Sequence, residues 1–166
     1  MTHPEDRALI AEQERELGFT HFDAHTAWTI GNILRDLALL RSHPLVIDIR
    51  RFGSPAQILF HAELPGTTPD NSRWVDRKAN VVARFHRSSY TLGLHLAELG
   101  MTFTEKYALS EADYATHGGA FPITLIGTGI IGSITVSGLP QRDDHALVIE
   151  ALCLHLNRDY ANLRLA

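Results

Sequence analysis

The chain has 166 residues, 45% apolar and 20% charged, with a formal net charge of -4. That length suits one domain with a sizeable core, that composition excludes disorder, and that charge leaves no basic footprint for nucleic acid. No stretch reaches the roughly 18 apolar residues of a membrane span, and the first 20 residues, dense in Glu and Arg, hold no apolar run of a secretory signal.

Thr2-His3-Pro4-Glu5 reads as a helix start with proline in the first turn, and the polar run through Glu16 as a short amphipathic helix. Leu9, Ile10 and Leu17 are its apolar contacts, and Gly18 stops it. Asp23 predicts an N-cap for a second helix from Ala24 to about Ser42, with Ala27, Ile30, Leu34, Leu37 and Ala38 at helical spacing. Leu45–Arg50 and Ile58–Glu63 read as strands of an antiparallel hairpin around Phe52-Gly53-Ser54-Pro55. A loop at 65–71 leads to a helix whose apolar face carries Trp74, Val81, Val82 and Phe85, and another helix follows over Tyr90–Leu99. A fifth strand is expected near Met101–Tyr107 and one helical turn over Ser110–Tyr114. Pro122–Ile126 and Ile130–Val136 form a tight hairpin around Gly127-Thr128-Gly129, and a last helix runs over Arg142–Asn157. Hairpins separated by helices predict an α/β (α+β) domain with an antiparallel sheet and helices against it. The expectation is one domain over 1–166, with an N-terminal helix in 1–20 and the core in 21–166. Cys153 is the only cysteine; on an apolar helix it reads as a packed thiol, suited to a reducing compartment such as the cytoplasm.

Four groups of residues invite chemistry. Arg73, Arg77, Asn80 and Arg84 share one helical face with Lys78 beside them, which could hold a carboxylate or phosphate or could be a solvated charged face. His117-Gly118-Gly119 before a strand allows backbone close to a ligand with a titratable group at hand, or is a plain turn. His21 and His25 flank Asp23, but the capping position of that aspartate argues against a metal site. Ser88-Ser89 could bind an anion or cap the next helix. No Gly-x-Ser-x-Gly elbow, P-loop or Gly-x-Gly-x-x-Gly is present.

In chain order, Lys78-Ala79, Gly118-Gly119 with Pro122, the glycine-rich strand Gly132–Gly138 and the pair Asp143-Asp144 resemble the GlcG/HbpS-like superfamily, the haem-degrading domain proteins. Asn71-x-x-Trp74-Val75-x-Arg77-Lys78 with Ser88-Ser89-Tyr90 is similar to one branch of it. The resemblance spans most of the chain from about Phe22. It implies a profilin-like three-layer α/β/α fold around an antiparallel sheet, stable homo-oligomers, and a pocket bordered by Lys78, Gly118 and Gly119. Arg77, Ser88 and His117 join that candidate ligand set from their place beside the motifs. The expected function is small-molecule binding, of a small anionic metabolite in the first instance. The alternatives are haem or another tetrapyrrole, for which no histidine here matches an axial ligand, and an oligomeric scaffold without catalysis; enzyme or binding protein stays open. Trp28, Leu39 and Leu40 lie off the main stripe of the second helix, and the terminal segment Tyr160–Leu165 adds apolar groups. Both point to a homo-oligomer, at least a dimer.

Overall fold

The computed structural model describes residue 3 and residues 5–166. Helices α1 (Asp6–Glu16) and α2 (Ala24–Leu40) precede strands β1 (Val46–Arg51) and β2 (Gln57–Glu63). Then come α3 (Pro69–Phe85), α4 (Ser89–Leu99), α5 (Phe103–Tyr107), β3 (Ala120–Leu125), β4 (Gly129–Ser137), α6 (Gln141–Leu156) and α7 (Tyr160–Leu163). The strands form one antiparallel sheet in the order β2-β1-β4-β3, so the two hairpins meet along β1 and β4 at its centre.

Alternation along the central strands sends their two faces to different layers. Ile47, Ile49, Ile134 and Val136 join Phe60, Phe121 and Ile123 in the main core, against Ala27, Ile30 and Leu34 of α2 and Val148, Ala151 and Leu152 of α6. The opposite face carries Asp48, Arg50, Ser133, Thr135 and Ser137 and is covered by α3, to which Arg50 is tied through Asp76 at 2.9 Å. The layers are therefore α2 and α6, the sheet, and α3: the profilin-like α/β/α arrangement. An apolar interior on one face and a polar one on the other is what later places charged groups beneath α3.

The helix starts follow side-chain chemistry. Asp23 accepts the Thr26 N–H at 2.8 Å and begins α2. Ser88 caps α4, its hydroxyl accepting the Thr91 N–H at 3.2 Å. The start expected over Thr2–Glu5 includes residues outside those described, and α1 opens at Asp6. One local expectation needs correcting. Met101–Tyr107 is no strand: Thr102 caps Glu105, whose carboxylate accepts the Thr102 N–H at 2.7 Å, and this reciprocal cap makes α5. Ser110–Tyr114 forms the single turn expected, with the Asp113 and Tyr114 N–H groups both donating to Ser110 O. The terminal segment also folds back, which removes it as a spare apolar face. Leu163 is buried, its carbonyl accepts from Gln13, and Leu165 packs against Ile10, Tyr90 and Leu94. Cys153 lies in the main core, where burial pushes its thiol up to about 11.

Candidate functional site

Three segments converge on one cleft. Pro69 opens α3 and Asn71 accepts the Thr68 N–H at 2.9 Å, which sets the helix phase. Asp70, Trp74 and Lys78 then follow at steps of four and share one face. The end of β4 supplies Ser137, Gly138 and Leu139, and the first turn of α6 supplies Gln141 and Asp144. The loop before β3 supplies His117. Together these residues bound a space of about 270 Å³.

The floor is an ion pair. Lys78 is 2% exposed and Asp144 1%, and Lys78 Nζ donates to Asp144 Oδ2 at 2.8 Å and to Val136 O at 3.1 Å. Asp144 Oδ1 accepts the Leu139 N–H at 3.0 Å, which locks the β4–α6 turn. Burial pushes the Lys78 ammonium below its ordinary range and the Asp144 carboxyl above its own, while their mutual attraction opposes both changes. The aromatic wall is Trp74, whose ring meets His117 edge-on at 5.0 Å, carries the Arg77 guanidinium 4.4 Å from its centroid, and is tethered by Nε1–H donating to Asp70 at 3.1 Å. Partial burial, with Lys78 and Arg77 close by, holds His117 below the usual imidazole range.

The candidate residues scatter into distinct places. Lys78 and His117 line the cleft. Gly119 adopts φ +127°, and a Cβ there would lie 2.4 Å from Val136 O and 2.8 Å from Lys78 Nζ, so only glycine lets the loop pass over the amine. Gly118 donates its N–H to Gln141 Oε1 at 3.2 Å, behind the cleft wall. Arg77 backs the wall: its Nε donates to Glu111 O at 2.9 Å, so its charge is directed away from the floor. Ser88 is buried at the start of α4, engaged with Thr91 and Glu14, and takes no part in the cleft. Arg73, Asn80 and Arg84 face solvent, with Asn80 holding Asp113 O at 2.9 Å. Asp144, Trp74 and Asp70 were not in the candidate set. The Asp143-Asp144 pair was visible as a motif, but which of the two turns inward depends on the phase of α6 against β4.

A second hollow, of about 330 Å³, lies between Arg41, His43, Asp143, Glu150 and Tyr160. Its main charges satisfy each other, Arg41 making two bonds to Glu150 at 2.8 and 2.6 Å. A buried pair turned toward open space is the rarer and costlier arrangement, which singles out the cleft over Lys78. Among the described residues no three His, Cys, Asp or Glu side chains converge as a metal site.

A profilin-like sheet with this lysine helix and glycine loop defines a class of domain, and the comparisons with known proteins give it a family. Residues 22–153 match the family described as "Haem degrading protein HbpS-like", and the chain belongs to that family. A UPF0303 protein of Acidobacterium capsulatum is 57% identical, covering 99% of this chain and 98% of its own. Among solved structures, the Ybr137w protein superposes with a TM-score of 0.83 at 26% identity, covering 93% of this chain and 94% of that one. A PduOC:heme complex superposes with a TM-score of 0.66 at 16% identity, covering 80% and 93%, and shares the fold.

Proposed function

We propose that the cleft over Lys78 and Asp144 binds a small metabolite that is neutral or carries a single negative charge and presents an oxygen to the floor. The buried ion pair is the observation that carries this reading. Lys78 Nζ has three donors and two acceptors within reach, so one N–H is left for a ligand oxygen. Charge argues against phosphates. The lining holds Lys78 against Asp70 and Asp144, and a dianion would have to displace Asp144 from the amine. The side chains of Trp74 and His117, packed edge to face, offer an aromatic flank. The expectation of an anionic ligand is thereby narrowed to carboxylates or polar neutral compounds.

Thermal melting tests this with neutral carbonyl compounds, monocarboxylates and phosphates, on wild type, Trp74→Ala and Asp70→Asn. Both variants leave the floor pair in place. The expected result is a shift with one of the first two classes that shrinks in Trp74→Ala. Equal shifts in all three proteins would remove the cleft as the site.

Haem is a second reading, supported by the family description and by the haem-bearing neighbour. The cleft as this chain forms it does not fit the group. A porphyrin takes an apolar slot with an axial donor, whereas here, among the described residues, Trp74 and Leu139 are the only large apolar linings and two carboxylates, Asp70 and Asp144, border the space. Hemin titration separates the cases: a sharp Soret band saturating near one per chain and moved by His117→Ala would support haem at this cleft. A broad, non-saturating response supports the small-metabolite reading.

We also infer that the chain self-associates, through the outer face of α2. The buried lone cysteine suits the cytoplasm as its compartment, and among the described residues no helix is long and apolar enough to cross a membrane.

A further inference from the structure

The chain has thirteen arginines and two lysines, Lys78 and Lys106. Where a fixed positive charge is needed, guanidinium supplies it: Arg50, Arg87 and Arg142 each hold a carboxylate. The basic group buried at the floor of the cleft is instead a lysine. An amine, unlike a guanidinium, can give up its proton in a protein and then attack carbon.

The surroundings of Nζ suit that use. Asp144 Oδ2 stands 2.8 Å away, close enough to take the proton along an existing hydrogen bond. Among the described residues neither group forms another salt bridge. A proton moved from Nζ to Asp144 leaves a neutral amine beside a neutral carboxylic acid, and burial favours that pair because it removes two desolvated charges. The directions in which burial pushes the two groups agree with this, the amine down and the carboxyl up. Gly119 lets the loop before β3 pack directly over the nitrogen, since a Cβ there would come within 2.8 Å of Nζ, and Lys78 and Asp144 both border the cleft.

We propose that Lys78 forms an imine with a small aldehyde or ketone bound in the cleft, Asp144 serving as the proton donor. This rests on the cleft being a ligand site and gives the ligand its chemical class. The Nζ lone pair attacks the carbonyl carbon and the carbonyl π pair moves to oxygen. That oxygen takes a proton from the nitrogen to give the neutral carbinolamine. The Asp144 carboxylic acid then protonates the hydroxyl, which leaves as water while the nitrogen lone pair closes the C=N bond. Amine, carboxylic acid and carbonyl become a protonated imine, a carboxylate and one water, so atoms and charge balance. The product places a cationic nitrogen against the Asp144 carboxylate, the arrangement the resting pair already accommodates.

Full-length protein is incubated at pH 7 with glyoxylate and, separately, with acetaldehyde, reduced with cyanoborohydride, and mapped by peptide mass. Lys106 is exposed and serves as the internal reference. An ordinary lysine, with a pKa of about 10.4, is under ~0.1% neutral at that pH, so Lys78 should be trapped about tenfold or more faster than Lys106 with at least one of the two aldehydes. Lys78→Arg should abolish the fast adduct and keep its cooperative melt. If that variant does not fold, the wild-type map decides by itself: with both aldehydes, an adduct on Lys106 that forms as fast as or faster than one on Lys78 overturns the proposal. The same aldehydes without reductant are run through the melting comparison. Binding that depends on Trp74, with no fast Lys78 adduct, overturns the imine and leaves the ligand reading standing. Neither binding nor fast adduct, together with no shift from any compound of the wider panel, overturns both.

Discussion

Lys78 and Asp144 show how a residue can be costly alone and tolerable in company. Each is ionisable, each is almost fully buried, and each answers the other at 2.8 Å. Replacing one partner, as in Asp144→Leu, leaves an isolated buried charge and should lower unfolding free energy by about 3–5 kcal/mol. Replacing both, as in Lys78→Met with Asp144→Leu, should restore most of that in a urea titration, because an apolar pair of similar volume needs no solvation. An equal loss in the single and double variants would mean that the pair's bonds to Val136 and Leu139 matter more than its charges. His145 is the other buried titratable group. Its Nε2 meets Gln13 Oε1 at 2.8 Å, Tyr90 and Phe121 flank its ring, and burial holds its pKa down at about 3. The folded state thus keeps it neutral while the unfolded chain protonates it near 6.5. Its contribution is fully present above pH 6.5 and is lost as pH falls from there toward 3, at up to ~1.4 kcal/mol per pH unit. Urea unfolding at pH 7 and pH 5 should show a steeper acid loss for wild type than for His145→Gln; identical slopes would mean the imidazole finds a proton-accepting partner when folded.

At the scale of elements, the cleft exists because two of them are held at awkward approaches. β3 begins where Gly119 runs under Val136 O and beside Lys78 Nζ, at a positive φ that a side chain resists. Gly119→Ala should cost on the order of 1–3 kcal/mol from backbone strain alone, and more from the contact with Val136 O, which is backbone and cannot swing aside. Calorimetry checks the loss. A neutral result would show that the loop before β3 can rearrange, and the same variant would then have a changed cleft. The contrast with α5 is instructive. Phe103 to Tyr107 carries enough aromatic and β-branched character to suggest a strand, yet the Thr102–Glu105 reciprocal cap gives its backbone N–H groups partners at once. Burial of Phe103 against Phe85 and Tyr107 then needs no sheet.

For the whole molecule, α2 carries the question of assembly. Its inner face fills the core, while Trp28 is 61% exposed, Leu39 42% and Leu40 83%. Ile58, on the edge strand β2, is 49% exposed, and Trp28 leans on Phe60 of the same strand at 5.9 Å. A helix face and an unpaired sheet edge exposed together are the usual material of a subunit interface. Size exclusion with light scattering should give a mass of at least two chains, and Trp28→Glu with Leu40→Glu should reduce it. One chain's mass for wild type over a wide dilution range would sink this prediction.

The order of the main elements, the two hairpins, the Asp23 cap and the stripe of α2 could be read from the residues, because each depends on neighbours within a few positions, whereas α5 and α7 could not. The family resemblance named Lys78, Gly118 and Gly119 from short motifs, and of these Lys78 lines the cleft while Gly118 and Gly119 pack behind it. What the residues alone left open is which groups meet. Lys78 looks like a free cation beside Arg77 until α6 brings Asp144 to it from 66 positions further along. Arg77 looks like a ligand group until Trp74 and Glu111 take it. Ser88 looks free until Glu14 reaches it from α1. Local preference is set along the chain, but burial and charge pairing are set by distance in space, and only the packing of α3 and α6 on either side of the sheet decided those.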